Sequence, residues 1–326
     1  MKKTLFLLLS LVLALVPVSC AKKETLSTNP PAETTAPVEN ESAYPLTFDN
    51  YERAVTVAAK PERVLALGPN TAELLVALGL GDKIIGTSLR NHSRGPLPEY
   101  AAIYETLPEL NHSGATREAV ITSGADFIYG IDWEFGGAGL DVDELADYGI
   151  TTYINSAVTI PQQYQEIRDI GKIFGVGDAA ESFIADQEAR VAAVTNKIAR
   201  QTAPNVLICD SINAGIFTAS GINFASLLLE TAGGKNVFGD LNEKAWVTVS
   251  YEEVLAREPE VIVIFDYDSP SAEEKIAELR ANDILSQLDA VKNERFVIIS
   301  LESVLPGNRI AYVIEQFATG FYPELF

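Results

Sequence analysis

EAVITSGADFIYGID (Glu118–Asp132) and EEVLAREPEVIVIFD (Glu252–Asp266) lie over each other without a gap. Each opens on a glutamate, carries apolar residues at helical spacing, turns at Gly124 or Pro259, and runs into an apolar strand that ends in Asp. A helix feeding a buried strand is therefore written twice, 134 residues apart. The simplest architecture for such a chain is α/β: two similar lobes, with the bound molecule held between them.

On either side of the first copy the same alternation continues. Leu46–Ala59 reads as a hairpin and Arg63–Leu67 as a buried strand; Gly68-Pro69-Asn70-Thr71 then breaks the strand and starts a helix through Leu80. Ile84–Ser88 is a strand, Leu89–Ala115 a long polar loop, Asp141–Tyr148 a helix and Thr151–Asn155 a strand. Strands alternating with helices predict a mainly parallel sheet flanked by helices. Past Gly175 and Gly177, Asp178 and Glu181 read as a capping pair for the longest helix, which carries Phe183, Ile184, Val191, Val194 and Ile198 on one side and ends near Pro204. Two dozen helical residues span about 36 Å, enough to run the height of two lobes as one rigid strut. Strands near Val206–Asp210, Ile216–Ser220, Val261–Phe265 and Phe296–Ser300, with a helix from Arg309 to about Gly320, make the second lobe. The expected divisions are an amino-terminal lobe over 46–177, a linking helix over 178–203 and a carboxy-terminal lobe over 204–326.

The amino terminus says where these lobes work. Lys2 and Lys3 precede an apolar run, Leu5–Val18, too short to span a bilayer and followed by Ser19-Cys20, so residues 1–19 read as an export signal. Residues 20–45 are rich in Thr, Pro, Glu, Asn and Ala, a composition that cannot bury enough surface to fold and serves as a tether. Its typical reach is about 25–30 Å. Cys209, in the apolar run Val206–Cys209, is expected to be a buried reduced thiol.

Composition narrows the partners. The formal charge is −21, and removing residues 1–19 takes away Lys2 and Lys3 and no acid, leaving −23. Such a chain is repelled by nucleic acid and by anionic lipid heads. A bare metal ion is a poor cargo, because the two histidines, His92 and His112, share one loop and Met1 is the single methionine. A lipid-anchored hydrolase would need a nucleophile elbow or an acid pair; the chain has no G-x-S-x-G, P-loop or G-x-G-x-x-G, and Asp132 and Asp266 read as strand-end turn residues. No catalytic residue and no cofactor are expected. An adhesin would show no saturable binding of a small molecule.

Three segments carry a resemblance: Arg63-Val-Leu-Ala-Leu-Gly-Pro-Asn-Thr-Ala-Glu-Leu-Leu-Val-Ala-Leu-Gly79, Ala232-Gly-Gly-Lys-Asn-Val-Phe238 and Trp246-Val-Thr-Val-Ser-Tyr-Glu-Glu-Val-Leu-Ala256. Together, in this order, they resemble the substrate-binding proteins of ABC importers for ferric siderophores, heme and vitamin B12, and the likeness covers nearly the whole chain after the tether. It implies two α/β lobes on a single helical backbone, a ligand cleft between them, and a monomer that delivers its cargo to a permease dimer with its ATPase. It implies further that one surface glutamate on each lobe docks on permease arginines, and the matching positions are Glu118 and Glu252. The helix dipole alone would also favour an acid there, behind the N-cap candidates Thr116 and Ser250. The region around Cys20 resembles a lipobox, with Pro17 where that motif usually has Leu, which implies lipidation of Cys20 and anchoring on the extracytoplasmic face of the cell membrane.

Ligand contacts are expected from loops at the carboxyl ends of strands. These are Pro69 and Asn70, Arg90 and Arg94, and Trp133 in the first lobe, with Phe217, Trp246, Tyr267 and Arg309 in the second. Pro69, Phe217 and Trp246 match cleft positions of the vitamin-B12-binding relatives. Two neighbouring arginines suit the anionic oxygens of a ferric siderophore, and those relatives carry an aromatic residue near Arg90. The expected cargo is therefore a ferric siderophore or related metal chelate first, with a corrinoid or heme next.

Overall fold

The computed structural model describes residues 44–137 and 139–326. The export signal, Cys20 and most of the tether lie outside the described residues. Tyr44, at the end of the expected tether, is already tied in: its hydroxyl donates to the carbonyl of Ile173 at 2.5 Å.

The first half runs β1 (Leu46–Asn50), β2 (Arg53–Val57), β3 (Val64–Leu67), α1 (Pro69–Ala77), β4 (Ile84–Ser88), α2 (Pro98–Tyr104), α3 (Arg117–Thr122), β5 (Phe127–Ile131), α4 (Val142–Asp147), β6 (Thr151–Asn155) and α5 (Ile160–Phe174). After α6 (Gly177–Ile198) come β7 (Asn205–Cys209), β8 (Ser211–Asn213), β9 (Gly215–Ala219), α7 (Phe224–Thr231), β10 (Lys235–Asn236), β11 (Trp246–Val249), α8 (Tyr251–Ala256), β12 (Val261–Asp266), α9 (Ala272–Ala281), α10 (Asp289–Lys292), β13 (Phe296–Ser300) and α11 (Ile310–Phe321). Two four-stranded parallel sheets result, ordered β4-β3-β5-β6 and β10-β7-β12-β13.

The repeat read from sequence is structural. Helices α3 and α8 and strands β5 and β12 begin at the same 134-residue offset, and each strand holds the third place in its sheet. Along β3, Val64 and Ala66 join one core while Leu65 and Leu67 join another; along β12, Val261, Val263 and Phe265 separate likewise from Ile262 and Ile264. Both faces of each parallel sheet are thus covered, so the strands read as continuous apolar runs. One core includes residues of both sheets and Ala180, Ile184, Val194 and Ile198 of α6.

Helix α6, about 33 Å long at 1.5 Å per residue, is pinned to both halves. Arg168 of α5 donates to Glu181 at 2.8 Å. Toward the second half, Arg190 makes a two-pronged pair with Glu315 at 2.9 and 2.6 Å, and the buried Gln187 accepts from the N–H of Ala311 at 2.9 Å. The strut is real, but its start differs from expectation: Val176 is the N-cap and no side chain caps it. Gly175, at φ 66°, turns the chain directly out of α5, and Gly171 lets α6 approach so closely that a Cβ there would meet the Cβ of Ala180 at 2.7 Å. Glu181 is free to pair with Arg168.

Three further departures concern element content. The polar loop after β4 contains α2, which starts on Pro98, a residue suited to the first helical turn. Helix α5 was not expected. The second half also carries a three-stranded antiparallel sheet, β11-β9-β8, so the strand expected at Ile216–Ser220 does not join the parallel one.

Candidate ligand-binding cleft

Every parallel strand except β3 and β10 supplies a residue from beyond its carboxyl end to one cleft, as open α/β sheets do. A chamber of 230 Å³ is lined by His92 after β4, Trp133 after β5, Asp210 after β7, Tyr267 after β12 and Leu301 after β13, together with Phe217 of β9 and Trp246 of β11. A second, of 240 Å³, shares Trp133 and Trp246 and extends past Asp132, Ser156, Val158, Ile222 and Pro306. Of the sequence-expected contacts, Trp133, Phe217, Trp246 and Tyr267 converge here.

Aromatic packing sets the walls. Phe217 and Trp246 stack with centroids 5.4 Å apart, and Trp246 meets Phe265 edge-on at 6.2 Å. His92 lies 5.9 Å from Trp133 and stacks at 6.1 Å on Tyr267, whose other contact is the ammonium of Lys275, 3.6 Å from the ring centroid. Lys275 is only 1% exposed and donates to the carbonyl of Phe265. Burial lowers its pKa against the pull of Asp210, and burial raises the Asp210 carboxyl. The Tyr267 hydroxyl donates to Asp210 at 3.3 Å, which fixes its ring against the chamber. Burial also holds the His92 imidazole below its ordinary pKa, so it is neutral at pH 7.

The arginines are elsewhere. Arg90 donates to the carbonyl of Leu107 at 2.9 Å, pairs with Glu109 at 3.5 Å and lies over Tyr104. Arg94 reaches across the cleft and binds Asp266 two-pronged, at 2.8 and 2.9 Å. The Arg94 bond, with the Ala272 N–H, outweighs burial and keeps the Asp266 carboxyl below its usual pKa. Neither chamber is lined by Arg or Lys. The positive spot expected of Arg90 and Arg94 is therefore neutralised within the chain.

Arg309, expected to meet ligand, is 4% exposed and acts as a latch between the halves. From the turn before α11 its Nε donates to both carboxylate oxygens of Glu73 on α1, at 3.0 and 3.1 Å, and its Nη2 donates to Glu73 again and to the carbonyl of Gly95. Its Nη1 donates to Glu302 and Ser303. Asn70 belongs to the same seam, donating to Asn155 at 2.8 Å and to the carbonyl of Pro306 at 2.6 Å, while Pro69 is buried in the first turn of α1. The sequence places His92 in the ligand-contact loop from Arg90 to Arg94 without singling it out, and Asp210 and Leu301 are not among the contacts expected from it. Each directly follows a parallel strand or its first turn, the same signal that picked out Tyr267.

Glu118 and Glu252 are both exposed, each two residues past its N-cap: Thr116 accepts from Ala119 at 3.3 Å and Ser250 from Glu253 at 3.2 Å. Cys209 is buried and unpaired, its thiol pushed up to about 12 by burial.

Two α/β halves on one helical strut thus place a cleft at their strand ends. The periplasmic binding protein family model matches residues 142–301. A vitamin B12-binding protein of Photorhabdus laumondii is 30% identical over 206 residues, covering 63% of this chain and 71% of its own. An uncharacterised ABC transporter substrate-binding lipoprotein of Bacillus subtilis is 25% identical over 289 residues, 87% of each chain. Among solved structures, a periplasmic binding protein from Veillonella parvula superposes with a TM-score of 0.75 at 26% identity, over 86% of this chain and 97% of that one. The chain belongs to the periplasmic binding protein family and is a substrate-binding protein of ABC transport, in agreement with the resemblance read from its sequence. It works outside the cytoplasm, with a permease and its ATPase, and is not an enzyme.

Proposed function

We propose that this protein captures a corrinoid in the aromatic cleft and delivers it to its permease. The observation that carries this reading is the pairing of converging aromatic walls with the absence of any Arg or Lys from both chambers. A corrinoid is a flat metal chelate with neutral amide arms, and it needs apolar area and uncharged surroundings rather than a cationic clamp. An anionic ferric siderophore would meet Asp210 and Asp132 on the chamber walls while the one nearby ammonium, Lys275, is buried behind Tyr267, so the corrinoid is placed ahead of it. The vitamin B12-binding relative in Photorhabdus laumondii supports the same choice. Heme is the second reading, favoured by the neutral His92 imidazole inside the first chamber.

In this reading residues 1–19 are an export signal, Cys20 carries the lipid, and the chain up to Tyr44 is the leash. Residues 46–177 and 204–326 are the lobes, and Glu118 and Glu252 are the two docking points. Identical placement at the second residue of α3 and α8 suits two equivalent permease subunits.

Trp133 and Trp246 are the only tryptophans and both line the cleft, so the test is intrinsic fluorescence, corrected for ligand absorbance. Cyanocobalamin is expected to quench saturably, with an affinity insensitive to salt and weakened more than tenfold by Trp246→Ala. Saturable quenching by an anionic ferric siderophore alone would overturn the proposal. Hemin binding that disappears in His92→Ala would install the second reading.

A further inference from the structure

A cavity of 420 Å³, larger than either chamber of the cleft, lies wholly within the first half, and none of its lining residues lines a chamber. Phe135, Leu140, Val142 and Ile154 give it apolar walls, and the tip of the β1–β2 hairpin adds Tyr51 and Arg53. The turn Asp132–Glu134 separates it from the cleft: Trp133 on that turn lines the chambers, and Phe135, just past it, lines this cavity.

Arg53 is the only cation on the wall. Six arginines among the described residues are not exposed, and Arg90, Arg168, Arg190, Arg257 and Arg309 each hold a carboxylate; Arg53 holds none. Its Nε is buried without a hydrogen-bond partner, and its Nη2 reaches the carbonyl of Thr152 at 3.5 Å. The Thr152 hydroxyl, on the same face of β6 as Ile154, is also buried and without a partner. Buried polar groups are as a rule hydrogen-bonded, so two orphans in one place fit a site that takes an acceptor from outside the chain.

The hairpin tip holds a conformation that its residues disfavour. Tyr51 and Glu52 form the two-residue turn between Asn50 and Arg53, both in the left-handed region at φ 52° and 58°, where such turns usually carry Asn-Gly. Side chains other than glycine cost stability there, and one of the two, Tyr51, lines the cavity. The rim limits the charge of an occupant. Glu52 is exposed and Asp141 accepts from the N–H groups of Asp143 and Glu144 at 2.9 and 3.1 Å; neither pairs with Arg53, but both disfavour a second negative charge. A cavity of ~150 Å³ admits benzene, so one of 420 Å³ has room for two fused rings.

We propose that this cavity is a separate binding site for a small aromatic monocarboxylate. Its carboxylate pairs two-pronged with the Arg53 guanidinium, and its ring lies against Phe135, Leu140, Val142 and Ile154, with Tyr51 at the side. The site is independent of the cargo held in the cleft.

The probe is 2-naphthoate, titrated calorimetrically into the wild-type chain, with 2-naphthamide as its uncharged match. Expected is one saturable site for 2-naphthoate, with affinity for 2-naphthamide lower by about tenfold or more, the loss of a charge-assisted pair. Arg53→Met should bring 2-naphthoate down to the 2-naphthamide level, whereas Trp246→Ala, in the cleft, should leave its affinity unchanged. Tyr51→Gly separates binding from folding. Glycine suits the left-handed turn, so this variant should unfold at no lower urea concentration than the wild type while losing about fivefold or more in 2-naphthoate affinity. The site would be overturned by no saturable binding, by equal affinity for the two probes, by full affinity in Tyr51→Gly or in a folded Arg53→Met, or by loss of binding in Trp246→Ala, which would put the probe in the cleft.

Discussion

Replacing Arg309 by Met tests the latch most sharply. All five guanidinium N–H donors have acceptors within reach, shared among Glu73, Glu302, Ser303 and Gly95, and the Glu73 and Glu302 side chains are each only 1% exposed. Burial alone lowers the guanidinium pKa, but the Glu73 bond and charge more than reverse this, so the group is held charged. Met fills most of the volume and removes every donor, leaving two buried carboxylates without their cation. Breaking such a buried pair costs about 3–5 kcal/mol. At a urea slope of about 3 kcal/mol/M the unfolding midpoint should fall by about 1–1.7 M. The double variant Glu73→Gln/Arg309→Met removes one of the stranded charges and should recover at least about 1 kcal/mol of the loss. The assay is urea unfolding followed by circular dichroism on the wild type and both variants. A loss below about 1 kcal/mol in Arg309→Met, or a double variant no more stable than the single one, would refute the argument that a charge network holds the halves together.

Two other expectations come from groups away from the latch. Burial raises the Glu166 carboxyl to about 7 from its ordinary 4.5, so the folded chain holds that proton more tightly than the unfolded chain; its contribution is fully present below about pH 4.5 and is lost as pH rises to about 7. Urea unfolding of wild type and Glu166→Gln at pH 4.5 and 7.5 should therefore show their stability difference moving by on the order of 3 kcal/mol in favour of the variant at the higher pH; a pH-independent difference would contradict it. For docking, Glu118→Arg or Glu252→Arg should cost only about 0.3–1 kcal/mol of helix-end stability and leave ligand affinity within twofold while abolishing uptake in cells; normal import by either variant would remove the docking assignment.

The parts of the fold legible in the sequence were those with a local signature. The unit formed by α3 and β5 returns in α8 and β12 because apolar spacing, N-cap and turn residue all repeat in place. Helix α5 escaped notice because Pro161 stands at its start and Gln163, Glu166 and Asp169 are buried along it, so that its inward face is not purely apolar. Helix α2 was hidden by Pro96 and Pro98, which read as loop residues in the chain and as a helix start in space. In the cleft, Trp133 and Tyr267 could be placed because a side chain just past a parallel strand has only one direction to serve, whereas Phe217 and Trp246, on the antiparallel sheet, were legible only through the resemblance. Arginines could not. Arg94 finds Asp266 across 172 residues and Arg309 finds Glu73 across 236, and nothing near an arginine in sequence tells whether its charge is already spent.

The small antiparallel sheet β11-β9-β8 has a consequence for how this scaffold changes over time. Phe217 and Trp246, the second lobe's stacked pair, stand on it and not on the parallel sheet. Glu73 and Arg309 of the latch, and Gln187 and Arg190 of the strut, all lie outside it. Residues 211–249 also carry α7, whose Phe224, Leu228 and Leu229 belong to the core, and β10 of the parallel sheet, so a receptor of altered taste is to be sought by exchanging side chains on β9 and β11 alone rather than by grafting the whole segment.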